Sequence, residues 1–278
     1  MDVQDLTPDK PLYLERVGFR GVRKRAVLES PEGPLALDLE LDAYVDLEPS
    51  KRGVHLSRNI EAIESVISDR RARSIEDLLR KIGRELLERH SYAAKSSVVA
   101  KTLYYVKVEW LHGLASREPV DVEVEVSVTR GGEELWRVSV EARGMTVCPS
   151  ARQTIAEIKG LDPELAPSHS QKAVLRGTVT TRRVMVRIED LARELFSSFS
   201  APTITLLKKR HEAGLILAAF SKPMFVEDIV REAAWRIANI PYMPEDAIIE
   251  VEALSFESIH PHDLSAYLRA RASEVRAR

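Results

Sequence analysis

The sequence lacks the features that mark secreted, membrane and nucleic-acid-binding proteins. It contains a single cysteine, Cys148, which excludes an internal disulfide framework. No apolar run approaches the roughly 18 residues of a membrane span, and the acidic stretch 1–5 has no apolar core of a secretory signal. A net charge of −2 provides no basic excess for a broad nucleic-acid surface. We therefore expect a cytoplasmic protein of ordinary globular composition.

Strands and paired helices are predicted in the first half of the chain. Apolar residues between 59 and 90 recur at helical spacing, and Ser74 followed by Asp77 is a suitable N-cap that divides this stretch into two helices. The pair Gly131 and Gly132 lies between two alternating runs and predicts a hairpin turn. Period-two alternation predicts strands over residues 17–28, 35–41, 97–112, 120–129 and 135–147.

The second half repeats this order without a visible sequence repeat. Strands are predicted over residues 172–188 and 247–255, and helices over 189–197, 203–219, 225–238 and 262–276. The repeated order indicates an α+β fold of two modules, residues 1–132 and 133–278, the second ending in a C-terminal helix. Each module is expected to be an antiparallel sheet with helices on one face, and the two are expected to form one continuous bimodular domain.

Three residues in separate segments are of types whose side chains can bind transition metals. Cys148 ends a predicted strand before Pro149, although a lone cysteine is more often a small buried hydrophobe. His169 stands in a polar loop, where a histidine is more often a surface residue. Glu212 follows a cationic stretch that begins at Lys208, and such a stretch also suits a solvated helix face. Taken separately, none of the three establishes a site.

Two further segments combine residue types used in acid–base chemistry and in anion binding. Glu257, His260, His262 and Asp263 lie where a predicted strand meets a predicted helix, which suits general acid–base catalysis and a capping cluster equally. Residues 53–58 read G-V-H-L-S-R and precede a predicted helix. Such a segment can bind phosphate through N–H, hydroxyl and guanidinium groups, or it can be an ordinary loop and cap.

Together these segments resemble the type IB GTP cyclohydrolases, a family that includes enzymes of archaeal methanopterin synthesis. The resemblance rests on six segments that occur in the family's order and span most of the chain. Residues 53–58 are similar to G-x-H-M-S-R, residues 146–150 to a C-P-C segment, and residues 168–171 to H-N-Q. Residues 206–212 resemble L-L-K-R-P-D-E, residues 225–231 resemble F-V-E-D-x-V-R, and residues 256–260 match F-E-S-I-H.

The resemblance implies that Cys148, His169 and Glu212 hold one divalent metal per subunit, with Fe(II) favoured and Zn(II) or Mn(II) as alternatives. The sequence departs from the family pattern at three positions. Ser150 replaces a second cysteine, Ser170 replaces an asparagine, and His211 replaces an aspartate. We expect metal binding to survive at Ser150 because the first cysteine is the ligand, whereas His211 adds a competing nitrogen beside Glu212.

The resemblance also implies hydrolytic opening of the guanine imidazole ring of GTP at C8, with water activated at the metal and release of formate. Glu227 would bind the guanine N1–H and exocyclic amine, and Glu257 and His260 would act as acid and base. The candidates for triphosphate binding are His55, Ser57, Arg58 and Lys208. The expected product is 7,8-dihydroneopterin 2′,3′-cyclic phosphate, with dihydroneopterin triphosphate as the alternative.

The implied architecture is the tunnelling fold, or T-fold, in which several subunits assemble into a barrel. We therefore expect a homodimer or homotetramer with active sites at subunit interfaces. One alternative function is a nitrile reductase of the same fold, with Cys148 as nucleophile; it would need NADPH, and the sequence has no paired-glycine dinucleotide motif. The other is a non-catalytic oligomer that binds purine nucleotides, which the replacements at Ser150 and His211 keep open.

Overall fold

A computed structural model describes residues 2–30, 33–110 and 114–277. The strands are β1 (Leu14–Ser30), β2 (Gly33–Leu47), β3 (Lys95–Trp110), β4 (Leu114–Thr129), β5 (Glu134–Val147), β6 (Ser170–Thr181), β7 (Ala201–Pro202), β8 (Ile248–Ser255) and β9 (Leu264–Arg271). The helices are α1 (Leu56–Asp69), α2 (Ile75–Arg89), α3 (Pro149–Lys159), α4 (Ile188–Ser198), α5 (Lys209–Ser221), α6 (Val226–Ala238) and α7 (Ala272–Arg276). None of the helices in these residues has the length and apolar character that crossing a lipid bilayer requires.

The strands of the described residues hydrogen-bond in the order β1-β2-β3-β4-β5-β6-β8-β9, and the short strand β7 pairs with the end of β5. The pairs β1–β2, β2–β3 and β8–β9 are antiparallel. In chain order, β1 and β2 precede α1 and α2, which precede β3 and β4. The second half is similar, since β5 and β6 come before the helices α4 to α6 and β8 and β9 after them, but α3 separates β5 from β6 and β7 lies between α4 and α5. The predicted α+β class, with an antiparallel sheet and helices on one face, is confirmed.

The residues group into two compact units that do not follow the chain order. The first unit comprises residues 1–103, 122–138 and 180–185, and the second comprises residues 104–121, 139–179 and 186–278. Strands β3, β4, β5 and β6 each contribute residues to both units. The division between residues 132 and 133 stays a prediction.

The core of the first unit lies between β2 and the helix pair α1 and α2. Along β2 the buried residues alternate: Leu37, Leu39, Leu41, Ala43, Val45 and Leu47. Ile63 of α1 and Leu79 of α2 are fully buried. The predicted N-cap is confirmed, because Ser74 Oγ accepts a hydrogen bond from the Asp77 N–H at 3.1 Å.

The predicted hairpin is also confirmed. The Thr129 N–H donates to the Glu133 carbonyl at 2.9 Å, which closes the turn between β4 and β5. Gly132 has a φ of +86°, a conformation that glycine adopts without steric cost. Gly132 therefore serves the turn geometry between the two alternating runs.

The predicted C-terminal helix over residues 262–276 is wrong. Residues 264–271 form β9, which pairs with β8 from Ser255↔Leu264 to Ile248↔Arg271, and only the five residues of α7 are helical. Ala266, Leu268 and Ala270 alternate with exposed Tyr267 and Arg269. Alanine, leucine and arginine have high helix propensity, but pairing with the edge of β8 overrides that preference.

Two boundaries and one additional helix differ from the sequence-based expectation. The strand predicted over 172–188 ends at Thr181, and the helix predicted over 203–219 begins only at Lys209. Residues 203–205 instead bond to strands, with the Thr203 N–H donating to the Arg143 carbonyl at 3.4 Å. Helix α3 was not predicted, although Pro149 at its first position and Gly160 at its end, with φ +61°, are ordinary helix boundary signals.

The end of β5 requires a glycine, which gives a testable prediction. A Cβ atom on Gly144 would lie 2.2 Å from Cγ of Phe199, which is buried. We expect Gly144→Ala to lower the free energy of unfolding by about 1–3 kcal/mol, because the ring must move. Urea denaturation measures the effect.

Gly131→Ala is the matched control, since the nearest atom to its Cβ would be Thr129 Oγ1 at 3.7 Å. Its unfolding free energy should stay within about 0.5 kcal/mol of the parent chain. Equal stability of the Gly144 and Gly131 variants would mean that Phe199 can be displaced at no cost.

Candidate active site

Cys148 lies at the junction between β5 and α3 in the second unit. Its Sγ accepts a hydrogen bond from the Ala151 N–H at 3.4 Å and so caps the helix, whose first residue is Pro149. The residue is half-buried and is not sealed in the core. The thiol therefore faces the partial positive charge of a helix N-terminus and remains accessible.

His169 is tied to Cys148 through the main chain. The Cys148 N–H donates to the His169 carbonyl at 3.1 Å, and Ser168 Oγ donates to the Cys148 carbonyl at 2.6 Å. These bonds bring together two of the three predicted metal ligands. The two residues are far apart in sequence, and the start of β6 beside the end of β5 makes them neighbours.

The tautomer of His169 follows from its hydrogen bonds. Nδ1 lies 2.9 Å from Gln171 Oε1 and 3.3 Å from Ser258 Oγ. Because the amide oxygen only accepts, Nδ1 carries the proton and the lone pair is on Nε2, the atom then available to a metal. The same contacts bring the 168–171 and 256–260 segments together, as does the Phe256 N–H, which donates to the Lys172 carbonyl at 2.9 Å.

The third predicted ligand, Glu212, lies in the first turn of α5 and is exposed. Leu215, one turn further along, packs in a cluster with Val147 and Ala219, so this face of α5 lies against the end of β5. His211 precedes Glu212, and its Nδ1 is buried with no hydrogen-bond partner among the described residues. The start of α5 therefore carries both an imidazole, His211, and a carboxylate, Glu212, and either group can bind a metal ion.

A metal site is not assembled in the conformation of the single chain. Across residues 2–30, 33–110 and 114–277, no three His, Cys, Asp or Glu side chains are grouped closely enough to hold a metal ion. The donor chemistry nevertheless fits one. Cys148 and His169 are neighbours, and the His169 tautomer that donates to Gln171 has its lone pair on Nε2, for which the described residues provide no hydrogen-bond partner.

Arg152 is a positioning residue that the sequence analysis missed. It follows Cys148 by four residues, is buried, and its guanidinium donates to the carbonyls of Pro163, Glu164 and Phe220. These bonds hold the loop before His169 and the end of α5 to helix α3. A single arginine inside a helix gives no sequence signal of this role.

Glu227, the predicted guanine ligand, is exposed in the first turn of α6. Asp228 caps the helix, since its Oδ2 accepts from the Phe225 N–H at 3.0 Å, which leaves Glu227 free of that structural role. The Met224 N–H donates to the Val147 carbonyl at 2.9 Å. The start of α6 therefore lies beside the residue that precedes Cys148.

The predicted acid–base pair occupies the loop between β8 and β9. Glu257 Oε1 accepts from Ser255 Oγ at 3.2 Å, and the Glu257 N–H donates to Asp263 Oδ1 at 3.2 Å. His260 is exposed and stacks on His262 with ring centroids 5.3 Å apart. Because residues 264–271 form β9, the described residues have no helix here for Asp263 or His262 to cap, and the Asp263 carboxylate bonds within the loop instead.

A cavity of about 900 Å³ lies within the second unit, next to these segments. Phe256 and Lys172 belong to its wall, as do three carboxylates and two arginines: Glu118, Glu141, Glu252, Arg143 and Arg176. Glu118 is buried and accepts from the Thr205 N–H at 2.9 Å and from Thr205 Oγ1 at 2.7 Å. The volume suits a small-molecule ligand.

The predicted phosphate-binding loop lies in the first unit. His55 is the N-cap residue of α1, Ser57 is exposed in its first turn, and Arg58 donates to the Arg89 carbonyl at 3.3 Å. The imidazole of His55 is mostly covered and lies close to Asp2 and Asp5. Lys208, the fourth candidate, is the exposed N-cap residue of α5 in the second unit.

A buried histidine that the sequence did not reveal supports this loop. His90 Nε2 lies 2.7 Å from Asn59 Oδ1 and its Nδ1 lies 3.0 Å from the Tyr92 hydroxyl. Asn59 Nδ2 donates to the Ala43 carbonyl at 3.2 Å. This network links the start of α1, the end of α2 and strand β2.

Comparison with known proteins gives one family for the chain. The sequence pattern of the family described as "Type I GTP cyclohydrolase folE2" matches residues 1–266. The chain is 69% identical over 278 residues to "GTP cyclohydrolase MptA" of Aeropyrum pernix, covering 100% of this chain and 98% of that protein. It is 33% identical over 303 residues to "GTP cyclohydrolase MptA" of Methanothermobacter thermautotrophicus, covering 99% and 94%.

Among solved structures, the chain resembles uricases. It matches uricase from Arthrobacter globiformis with a TM-score of 0.58 at 11% identity, covering 92% of this chain and 93% of that one. It matches a hyperthermostable urate oxidase mutant from Bacillus sp. TB-90 with a TM-score of 0.55 at 9% identity, covering 94% and 99%. At this identity the likeness shows the fold alone.

His90 gives a pH-dependent stability that can be measured. Burial lowers the pKa of His90 to about 4, and neighbouring Arg58 and His55 act in the same direction. As the pH falls from about 6.5 to about 4, the unfolded chain takes up a proton that the folded chain does not, so stability falls in that window. We expect the parent chain to lose about 2–3 kcal/mol more than His90→Gln across it.

Denaturant titrations at pH about 6.5 and about 4 measure the free energy of unfolding of each protein. Comparing the parent chain with the variant cancels the loss of stability that protonation of carboxylates causes in both. His262→Gln removes an exposed histidine and should keep the pH dependence of the parent chain. If His90→Gln and the parent chain lose stability in parallel, the imidazole of His90 is protonated in the folded state.

Proposed function

Because the chain belongs to the type I GTP cyclohydrolase folE2 family, we propose that it is a metal-dependent GTP cyclohydrolase of the archaeal type IB class. Its reaction would open the guanine imidazole ring at C8 and release formate. The observation that carries the proposal is the main-chain pairing of Cys148 with His169 in a chain that matches this family over residues 1–266. Family membership also argues against the nitrile reductase alternative.

The metal would be held by Cys148, His169 and Glu212. The accessible thiol and the free Nε2 of His169 support the first two. The position of Glu212 one turn before Leu215, on the helix face that packs on Val147, supports the third. When bound, the metal would supply Lewis acidity that makes a water molecule nucleophilic near neutral pH. One thiolate, one imidazole and one carboxylate suit Fe(II), Zn(II) or Mn(II), and we favour Fe(II).

Glu257 and His260 would move the protons of the reaction. Ring opening needs a proton on the departing imidazole nitrogen and removal of a proton as the adduct collapses to formate. Ser255 and Asp263 hold Glu257 by its carboxylate and by its N–H, which fixes the group at the end of β8. His260 is exposed beside it, with its ring stacked on His262. Ser258 between them touches His169, so this loop lies at the proposed metal site.

Glu227 would recognise guanine. A carboxylate can accept two parallel hydrogen bonds from the N1–H and the exocyclic amine, a pattern that adenine does not offer. Glu227 lies in the first turn of α6, and Met224, just before this helix, donates its N–H to the Val147 carbonyl. This position near Cys148 supports the role. The cavity of about 900 Å³ beside Phe256 is large enough for a nucleotide.

The triphosphate would be bound by His55, Ser57 and Arg58 at the start of α1, where N–H groups and the helix dipole favour anions. Lys208 stays a prediction from the sequence for the same group. We favour 7,8-dihydroneopterin 2′,3′-cyclic phosphate as the product, with dihydroneopterin triphosphate as the alternative. The first product is the one that the sequence resemblance implies for the archaeal branch, and the relatives named "GTP cyclohydrolase MptA" support membership of that branch.

The active enzyme would be a homodimer or homotetramer with a tunnelling-fold architecture and active sites at subunit interfaces. Two observations support self-association. Glu212 and Glu227 are exposed, and α5 presents Ile216 and Leu217 to solvent at 46% and 71% exposure. Such an exposed apolar pair beside a site is typical of an interface. Light scattering of the purified chain would measure the subunit number.

Removing a ligand tests the metal site. We expect Cys148→Ala and His169→Ala to lower metal affinity by at least about 100-fold and to abolish formate release, because each deletes a donor. Each variant is loaded anaerobically with Fe(II), Mn(II) or Zn(II), bound metal is measured by mass spectrometry, and formate and pterin products are analysed. Turnover of the parent chain should be highest with Fe(II).

Ser150→Ala is the control for this experiment, since the family has a cysteine at that position. It should retain metal and turnover if Cys148 is the ligand. Circular dichroism reports whether each variant is folded. Turnover and full metal content in both Cys148→Ala and His169→Ala would refute the ligand assignment.

The guanine contact is tested by Glu227→Gln. Loss of the charge in two hydrogen bonds should raise KM for GTP about 10–100-fold, with a smaller effect on kcat. Steady-state formate release and competition by ATP measure affinity and selectivity. Glu232→Gln on the same helix, where the carboxylate pairs with Arg236 at 2.7 Å, should leave KM within about twofold. An unchanged preference for GTP in Glu227→Gln would remove the proposed role.

A further inference from the structure

Residues 2–6, called the acidic segment below, lie against the loop that precedes α1. Asp2 is the N-cap of a single 3₁₀ turn, Val3–Asp5, and none of the residues in that turn is buried. The loop, residues 51–55, is the part of the first unit that leads into the proposed triphosphate contacts. The polar contacts between the two segments join donors on the loop to oxygens on the acidic segment.

Two consecutive N–H groups of the loop converge on one oxygen. The Arg52 N–H donates to the Gln4 carbonyl at 3.0 Å, and the Gly53 N–H donates to the same carbonyl at 3.2 Å. Successive N–H groups aimed at one point form the concavity in which proteins hold phosphate oxygens. A Cβ on Gly53 would lie 3.4 Å from Gln4 Cγ, so the two segments are in contact.

Two side chains of the loop, Lys51 and His55, contact both carboxylates of the segment. Lys51 Nζ lies 2.8 Å from Asp5 Oδ1. His55 Nδ1 lies 3.5 Å from Asp2 Oδ2, and His55 Nε2 lies 3.8 Å from Asp5 Oδ1. The hydrogen bond from Lys51 holds the pKa of the Asp5 carboxyl below its usual range, so this carboxyl is ionised near neutral pH. The loop thus holds three oxygens, two of them charged.

No residue of the acidic segment is buried, and its apolar side chains, Val3 and Leu6, are both exposed. Val3 is 57% exposed, and the side chains of Asp2 and Asp5 are 57% and 40% exposed. Ion pairs at such exposure each contribute about 0–1 kcal/mol. A ligand that offers several anionic oxygens can therefore replace the segment without loss of core packing.

We propose that the acidic segment is an internal competitor for a polyphosphate site formed by Lys51, the N–H groups of Arg52 and Gly53, and His55. The carboxylates of Asp2 and Asp5 and the carbonyl of Gln4 stand where phosphate oxygens bind, and a bound polyphosphate displaces the segment. The inference rests on the proposed function, which places the triphosphate of GTP at residues 53–58. It adds Lys51 and the N–H groups of Arg52 and Gly53 to that site. It also adds a competing contact, because the acidic segment occupies the site and so weakens the binding of polyphosphate.

The test compares Asp5→Asn with Asp9→Asn in the full-length chain. Both remove one negative charge from an exposed side chain near the start of the sequence, but Asp5 contacts the loop. Inorganic tripolyphosphate is titrated by calorimetry into each protein at identical metal content. We expect binding to Asp5→Asn about 3–10-fold tighter than to the parent chain, and to Asp9→Asn within about twofold. KM for GTP should fall by the same factor in Asp5→Asn, with kcat unchanged.

Hydrogen–deuterium exchange provides a second measurement. Tripolyphosphate should speed exchange in residues 2–6 while the amides of Arg52 and Gly53 stay protected, because a phosphate oxygen replaces the Gln4 carbonyl. Unchanged exchange in residues 2–6 on the saturated protein, or equal affinities of Asp5→Asn and Asp9→Asn, would overturn the proposal.

The variant His55→Ala distinguishes the polyphosphate site itself from the competition by the acidic segment. If it weakens tripolyphosphate binding while Asp5→Asn is no tighter than the parent chain, the site stands and only the competition is wrong. If it leaves tripolyphosphate binding unchanged, both this inference and the proposed triphosphate contact at His55 fall.

Discussion

The hydrogen bond from the Cys148 N–H to the His169 carbonyl, 3.1 Å long, is the constraint on which the candidate site depends. It brings the end of β5 and the start of β6 together where both strands carry donor side chains. Ser168 Oγ adds a second bond to the Cys148 carbonyl. Because one bond is entirely main-chain and the other needs only a serine, replacements at Ser150 and Ser170 leave the pairing intact. The departures at Ser150 and Ser170 are therefore compatible with the pairing of these two segments.

The sequence predicted the fold class and most elements because the patterns were local. Ser74 and the Gly131–Gly132 turn are local signals, and both are confirmed. Strand β9 could not be predicted in this way, since its residues favour helix and only the edge of β8 makes them a strand. Helix α3 was not predicted because Cys148 and Pro149 were interpreted only as the end of a strand, whereas β5 ends at Val147 and these two residues begin the helix.

Parts of the site depend on contacts that no spacing predicts. Arg152 holds three carbonyls from two distant segments, and His90 is buried between Asn59 and Tyr92. The motif residues were identified by resemblance, and the structure brings Cys148, His169 and Ser258 together. His211 is the clearest departure: a nitrogen is buried without a partner among the described residues at a position where the family has a carboxylate. Desolvating such an atom costs free energy that a water molecule or ligand would recover.

Strands β3 to β6 each run through both compact units. The chain therefore crosses from one unit to the other several times, and no single cut releases either unit as one continuous piece. Gene truncation or module exchange between relatives would divide strands in mid-length and leave their N–H and C=O groups unpaired. Single substitutions leave these strands intact, whereas an exchange of halves at the unit boundaries does not.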